Sequence, residues 1–105
     1  MIKTLNRNEL QAHLDANPQL VLLEALPEKY YADWHLPGAR HFPHDQARTL
    51  APSVALDKAA ENVVYCASRT CQNSHIAARQ LESLGYTNVA VYAGGKEDWK
   101  EEVPA

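Results

Sequence analysis

Three short apolar runs constrain this chain more than any other feature: LVLLEAL at residues 20 to 26, NVVYC at 62 to 66 and NVAVY at 88 to 92. The first is apolar throughout apart from Glu24, and the second reads the same way. Neither alternates polar with apolar, as a strand with one wet face would, so both are expected to be covered on two sides. The segments between the runs have helical spacing. Asn6 followed three residues later by Glu9 matches a capping box, with Leu10 and Leu14 one helical turn apart, and Asn17-Pro18 breaks that helix. The clearest helix is predicted over residues 70 to 84, where Ala77, Leu81 and Leu84 form one stripe. Gly85 stands where a C-terminal cap glycine belongs. Strands alternating with helices imply an α/β fold, a parallel sheet flanked by helices on both faces.

The remaining signals are shorter. Residues 2 to 5 read as a short strand and residues 28 to 34 as an aromatic helix ended by the Pro37-Gly38 turn. Residues 39 to 42 read as a strand, and residues 43 to 60 as a loop with short helices. Gly94-Gly95 opens a final helix carrying Trp99. The 105 residues are expected to form one domain, since that length can bury a core unaided. A hydrophobic content of 46% with 22% charged residues excludes the disordered and fibrous classes. With a net charge of -3 and scattered basic residues, neither nucleic acid nor a membrane surface is expected as a partner. The N-terminal stretch MIKTLNRNELQAHL has no apolar signal-peptide core, and the run Leu20 to Leu23 is too short to span a bilayer. A cytoplasmic location follows as an expectation. There, cysteines are more often reactive or metal-binding than disulfide-bonded.

Both cysteines lie in VVYCASRTCQNS, residues 63 to 74. Cys66 ends a strand, and in an open parallel sheet ligands bind beyond the carboxyl ends of strands. The loop of Ala67, Ser68, Arg69 and Thr70 leads into a helix. Its N–H groups, over residues 67 to 71, are expected to face the sulfur and, with the helix dipole, to lower the thiol pKa. Arg69 would add positive charge. This pattern predicts covalent chemistry with Cys66 as nucleophile. Cys71 is expected in the first helical turn, across the loop rim. Two other readings stand beside this one: a cysteine that packs as a small hydrophobe, and a zinc site from Cys66, Cys71 and His75, approached by His35 or His44.

Taken together, the motifs resemble the rhodanese-like superfamily of sulfurtransferases and their relatives. His35-Leu36-Pro37-Gly38-Ala39 is similar to that family's His-Ile-Pro-Gly-Ala turn. The order of strand, cysteine loop, helix, Leu84-Gly85-Tyr86, strand, Gly94-Gly95 and Trp99 resembles its active-site half. The resemblance implies a five-stranded parallel sheet. It also implies that Cys66 takes a sulfane sulfur from a small-molecule donor such as thiosulfate and holds it as a persulfide. A thiol or protein acceptor would then receive it, with no metal or organic cofactor. The family's usual loop glycine and arginine, at the fourth and sixth positions, are here Arg69 and Cys71. Its aspartate and arginine after the second strand are Glu24 and Leu26, and the glycine before its histidine is Trp34. Cys71 would resolve the persulfide, releasing sulfide and leaving a Cys66–Cys71 disulfide. Three alternatives are a phosphatase, a non-catalytic binding module and a dithiol redox protein. The phosphatase would need an arginine where Gln72 stands.

Overall fold

The structure, a computed structural model, describes residues 2 to 101. Five strands form one sheet: β1 (Lys3–Leu5), β2 (Val21–Glu24), β3 (Arg40–His41), β4 (Asn62–Tyr65) and β5 (Val89–Tyr92). Their order is β1-β5-β4-β2-β3, and every pair is parallel. All four residues of β4 and of β5 are buried, as runs covered on two faces must be.

Side-chain alternation along these strands divides the core in two. On one face Leu23, Val64, Val89 and Val91 pack with Ala47, Ala51, Ala77, Ala78 and Leu81, which come from helices α3 (Ala47–Val54) and α4 (Asn73–Ser83). On the other face Leu22, Val63, Tyr65, Ala90 and Tyr92 meet Leu10 of α1 (Arg7–Ala16), with Trp34 and Trp99 at the margin. Trp99 belongs to α5 (Gly95–Glu101), and Trp34 follows α2 (Glu28–Asp33). The expected α/β sheet with helices on both sides is therefore what forms.

Local signals account for most boundaries. Asn6 caps α1 through a complete capping box: its side chain accepts from the Glu9 N–H at 2.8 Å, and Glu9 accepts from the Asn6 N–H at 2.9 Å. Gly85, at φ +97°, ends α4. The Gly85 N–H donates to Glu82 O and the Tyr86 N–H to Leu81 O, each at 3.1 Å, which is the Schellman arrangement. The mixed segment after β3 resolves into a 3-10 turn at His44–Gln46 and α3, with Pro52 inside it.

One boundary departs from expectation. Helix α4 begins at Asn73, three residues later than the stripe predicts. Residues 68 to 71 form a turn instead, closed by the Cys71 N–H donating to Ser68 O at 3.2 Å. Cys71 thus lies in the loop and not in the first helical turn.

The cap glycine gives a direct check on this local reading. Gly85→Ala should lower the unfolding free energy by about 1 kcal/mol, because alanine disfavours positive φ. Urea denaturation measures this, and an unchanged midpoint would contradict the assigned cap.

Candidate active site

Residues of four elements meet at the carboxyl end of β4. Cys66 is the first residue past that strand and only 1% exposed. Its loop rests on α5. The Lys96 N–H donates to Cys66 O and the Glu97 N–H to Ala67 O, both at 2.9 Å. Two N–H groups of a helix start that would otherwise lack partners are satisfied by the loop itself. Gly95, at φ +66°, permits this approach, since a Cβ there would stand 2.3 Å from Cys66 O.

The surroundings of the sulfur differ from what the sequence suggests. The thiol donates to Cys71 O at 3.2 Å, and Ser68 O lies 4.0 Å away. The Ser74 hydroxyl sits at 3.5 Å, and the Ser74 N–H also reaches the sulfur. So the polar ring around Cys66 holds loop carbonyls together with one residue of the first turn of α4. The expected cradle of N–H groups from residues 67 to 71 does not form.

Backbone geometry supplies a reason. No residue other than glycine has a positive φ among those described, and Arg69 fills a position where glycine would permit one. The loop closes as an ordinary turn, with carbonyls directed at the sulfur. Burial, followed by the hydrogen bond with the Cys71 thiol, pushes the Cys66 pKa up. The expected depression of the thiol pKa is therefore corrected to a rise. The two bonds from Ser74 oppose that rise without cancelling it.

Both cysteines are reduced, with Cys71 half-buried beside Cys66. Ala67 and Thr70 are exposed, and Ser68 is half-buried. The Ser68 and Thr70 hydroxyls bond each other at 3.1 Å. Arg69 does not point its charge at the sulfur. Its Nη2 lies 3.3 Å from Asp98 Oδ1, with the arginine side chain 77% exposed. Asp98 is fixed in turn by the Tyr92 hydroxyl at 2.5 Å. Among the described residues no three His, Cys, Asp or Glu side chains are placed to hold a metal ion, so Cys66, Cys71 and His75 do not form a zinc cluster. His35 belongs to the turn: its Nδ1 donates to Tyr31 O at 2.8 Å and its ring stacks on Tyr31.

Beneath the loop is a buried ionic network. Glu24, fully buried at the end of β2, accepts from the Tyr65 hydroxyl at 2.7 Å. Its other oxygen lies 3.0 Å from Lys96 Nζ, an ion pair off the line of a good hydrogen bond. Lys96 Nζ also donates to Tyr30 O at 2.7 Å. The Tyr65 hydroxyl accepts the Leu36 N–H at 3.1 Å, and burial pushes its pKa well above the usual phenol range. Sequence reasoning anticipates a partner for Glu24, because an unpaired buried carboxylate is costly. It places Gly94-Gly95 close to the cysteine loop, as found, but does not identify Lys96 as the partner of Glu24 or Ser74 as a neighbour of Cys66. One available signal was a lysine in the first turn of the last helix, directly after Gly94-Gly95.

Removing Lys96 would strip the fully buried Glu24 carboxyl of its ion-pair partner. Lys96→Met should cost about 3 to 5 kcal/mol of stability. Adding Glu24→Gln, which keeps an acceptor for Tyr65, should recover more than half of that loss. Denaturant unfolding of both variants measures it, and equal stabilities for the single and double variants would contradict the pairing.

Comparison with known proteins agrees with this architecture. A rhodanese-like domain family matches residues 6 to 102. The adenylyltransferase and sulfurtransferase UBA4 of Candida albicans is 26% identical over 87 residues, which span 79% of this chain and 20% of that protein. Its Ogataea parapolymorpha counterpart is 26% identical over 90 residues, 86% of this chain and 22% of that one. The chain therefore spans about a fifth of the length of these curated relatives. Human single-domain sulfurtransferase TSTD1 superposes with a TM-score of 0.84 at 24% identity, over 99% of this chain and 100% of that one. A rhodanese-like domain from Anabaena sp. gives 0.83 at 25% identity, over 100% of this chain and 86% of that one. With its parallel sheet, its cysteine loop seated on the last helix and a family match over nearly the whole chain, this protein belongs to the rhodanese-like domain family.

Proposed function

We propose that this protein is a sulfurtransferase in which Cys66 carries sulfane sulfur as a persulfide and Cys71 resolves it. The observation that carries this reading is the placement of the two thiols. Cys66 stands at the carboxyl end of the central strand, and its thiol donates to the Cys71 carbonyl at 3.2 Å, which holds the second cysteine beside it. Family membership and the similarity to sulfurtransferases support the transfer chemistry.

In the first step Cys66 Sγ attacks the outer sulfur of the donor. The donor's S–S bond breaks, its electron pair leaves with the remaining group, and the carried sulfur stays on Cys66 as Cys66–S–SH. A small thiol or a protein nucleophile then takes that sulfur, restoring Cys66. When no acceptor arrives, Cys71 attacks the inner sulfur. A Cys66–Cys71 disulfide forms, hydrogen sulfide leaves, and the sum of oxidation states is unchanged. Two electrons from a cellular dithiol return both cysteines to thiols.

A raised thiol pKa does not oppose this role. A more basic sulfur is intrinsically the better nucleophile, so part of the lost thiolate fraction is recovered in reactivity. The Ser74 N–H and hydroxyl provide two donors that follow the negative charge as it forms. Ala67, Ser68, Arg69 and Thr70 form the rim past which donor and acceptor approach. Cytoplasmic residence, a small-molecule donor and a thiol or protein acceptor complete the proposal.

Intact-mass measurement after exposure to a sulfane donor tests it. With no acceptor present, the parent should end two hydrogens lighter, as the Cys66–Cys71 disulfide, and Cys71→Ser should retain the added sulfur. Cys66→Ser should gain none. Identical products from the parent and Cys71→Ser would remove Cys71 from the mechanism.

A further inference from the structure

We propose that the Cys66 site discriminates by charge, taking sulfane sulfur from thiol persulfides and other donors of at most one negative charge in preference to dianionic thiosulfate. This rests on the sulfurtransferase reading and specifies its donor.

Three observations converge. First, the loop turns carbonyl oxygens toward the sulfur, Cys71 O at 3.2 Å and Ser68 O at 4.0 Å. These are the negative ends of peptide dipoles, and they oppose a second negative charge beside Cys66. Second, both cations that flank the loop already face a carboxylate. Arg69 pairs with Asp98 at 3.3 Å, and Lys96 with Glu24 at 3.0 Å. The pairing of Lys96 is the more binding of the two, because Glu24 is fully buried and Lys96 cannot leave it without stranding the carboxylate. Third, the loop's sixth position, whose carbonyl accepts from the Cys66 thiol at 3.2 Å, carries a cysteine, Cys71, and so brings no cation to the site.

Two other groups bear on the charge. Arg7 lines the same depression as Arg69 and Asp98. It sits just past β1, which is separated from β4 by β5, and its guanidinium lies 4.5 Å from the centre of the Trp99 ring. The Ser74 N–H and hydroxyl do face the sulfur. They suffice for the single charge that develops in the step, but not for two charges carried in by the donor.

The chemistry balances with a persulfide donor. Cys66 Sγ bonds to the terminal sulfur of R–S–SH, the donor S–S bond breaks, and the electron pair leaves with R–S. The proton from Cys66 passes to that leaving sulfur, giving R–SH and Cys66–S–SH. The buried thiol supplies the proton that the leaving group needs, so no net charge is created. Thiosulfate would instead bring two negative charges and release sulfite beside the same carbonyls.

The test holds leaving-group chemistry nearly constant while the charge changes. The reduced full chain is mixed with thiosulfate, a dianion, and with methanethiosulfonate, a monoanion that releases a sulfinate. The persulfide of 2-mercaptoethanol is the third donor. Sulfur on Cys66 is followed by mass spectrometry in Cys71→Ser, where it is retained, and each rate is divided by that of the same donor with a free small thiol. The normalised rates for methanethiosulfonate and the persulfide should exceed that for thiosulfate by about tenfold or more. Asp98→Asn, which releases Arg69, should raise the thiosulfate rate severalfold and change the methanethiosulfonate rate less than twofold. A normalised thiosulfate rate equal to or above the others overturns the charge discrimination and leaves sulfur transfer standing. Failure of every donor to add sulfur to Cys66 overturns both.

Discussion

The cysteine loop is held by the first turn of the last helix, and that contact is the constraint on which the site depends. Cys66 O and Ala67 O accept from Lys96 and Glu97, and Gly95 lies so close to the loop that no side chain fits between them. Each bond contributes only about 0.5 to 1.5 kcal/mol net, but a buried group left unpaired costs about 1 to 3 kcal/mol. Lys96 then ties the same turn to β2 through Glu24, and Tyr65 ties Glu24 to the Leu36 turn. Elements far apart in the chain thus fix where the sulfur stands.

That arrangement also sets the electrostatics. A loop anchored by its own carbonyls, with an arginine at position 69 that does not adopt a positive φ, closes as a turn and directs further carbonyls at Cys66. The thiol becomes a hydrogen-bond donor, and burial favours its neutral form. Positive charge is present nearby, but Glu24 and Asp98 have claimed it. The site is built around an uncharged thiol with a second thiol beside it.

Much of the fold was legible because it depends on local or compositional signals. The runs at β2, β4 and β5 are apolar because both sheet faces are covered, and Asn6, Glu9 and Gly85 mark helix ends through bonds within a few residues. The start of α4 was not legible. Thr70, Cys71 and Gln72 are compatible with a helix, and only their contacts with Cys66 and Ser68 place Cys71 in a turn. The place of Cys66 at a strand end could be read, but not the polarity of the groups facing it. That depends on the φ values of single loop residues. The pairing of Glu24 with Lys96 joins β2 to the last helix, and no local pattern carries such a long-range match.

The protonation state of Cys66 is the most direct test of this account. The 13Cβ chemical shift of Cys66, followed by NMR from pH 6 to above the ordinary thiol range in reduced protein, reports it without a chemical probe. Burial and the Cys71 contact raise the pKa, so Cys66 should keep its proton through neutral pH and lose it only above the ordinary cysteine value. Cys71→Ala should move that midpoint down while leaving it above the ordinary value. A Cys66 already ionised at neutral pH would mean that N–H groups, not carbonyls, surround the sulfur, and would contradict the account.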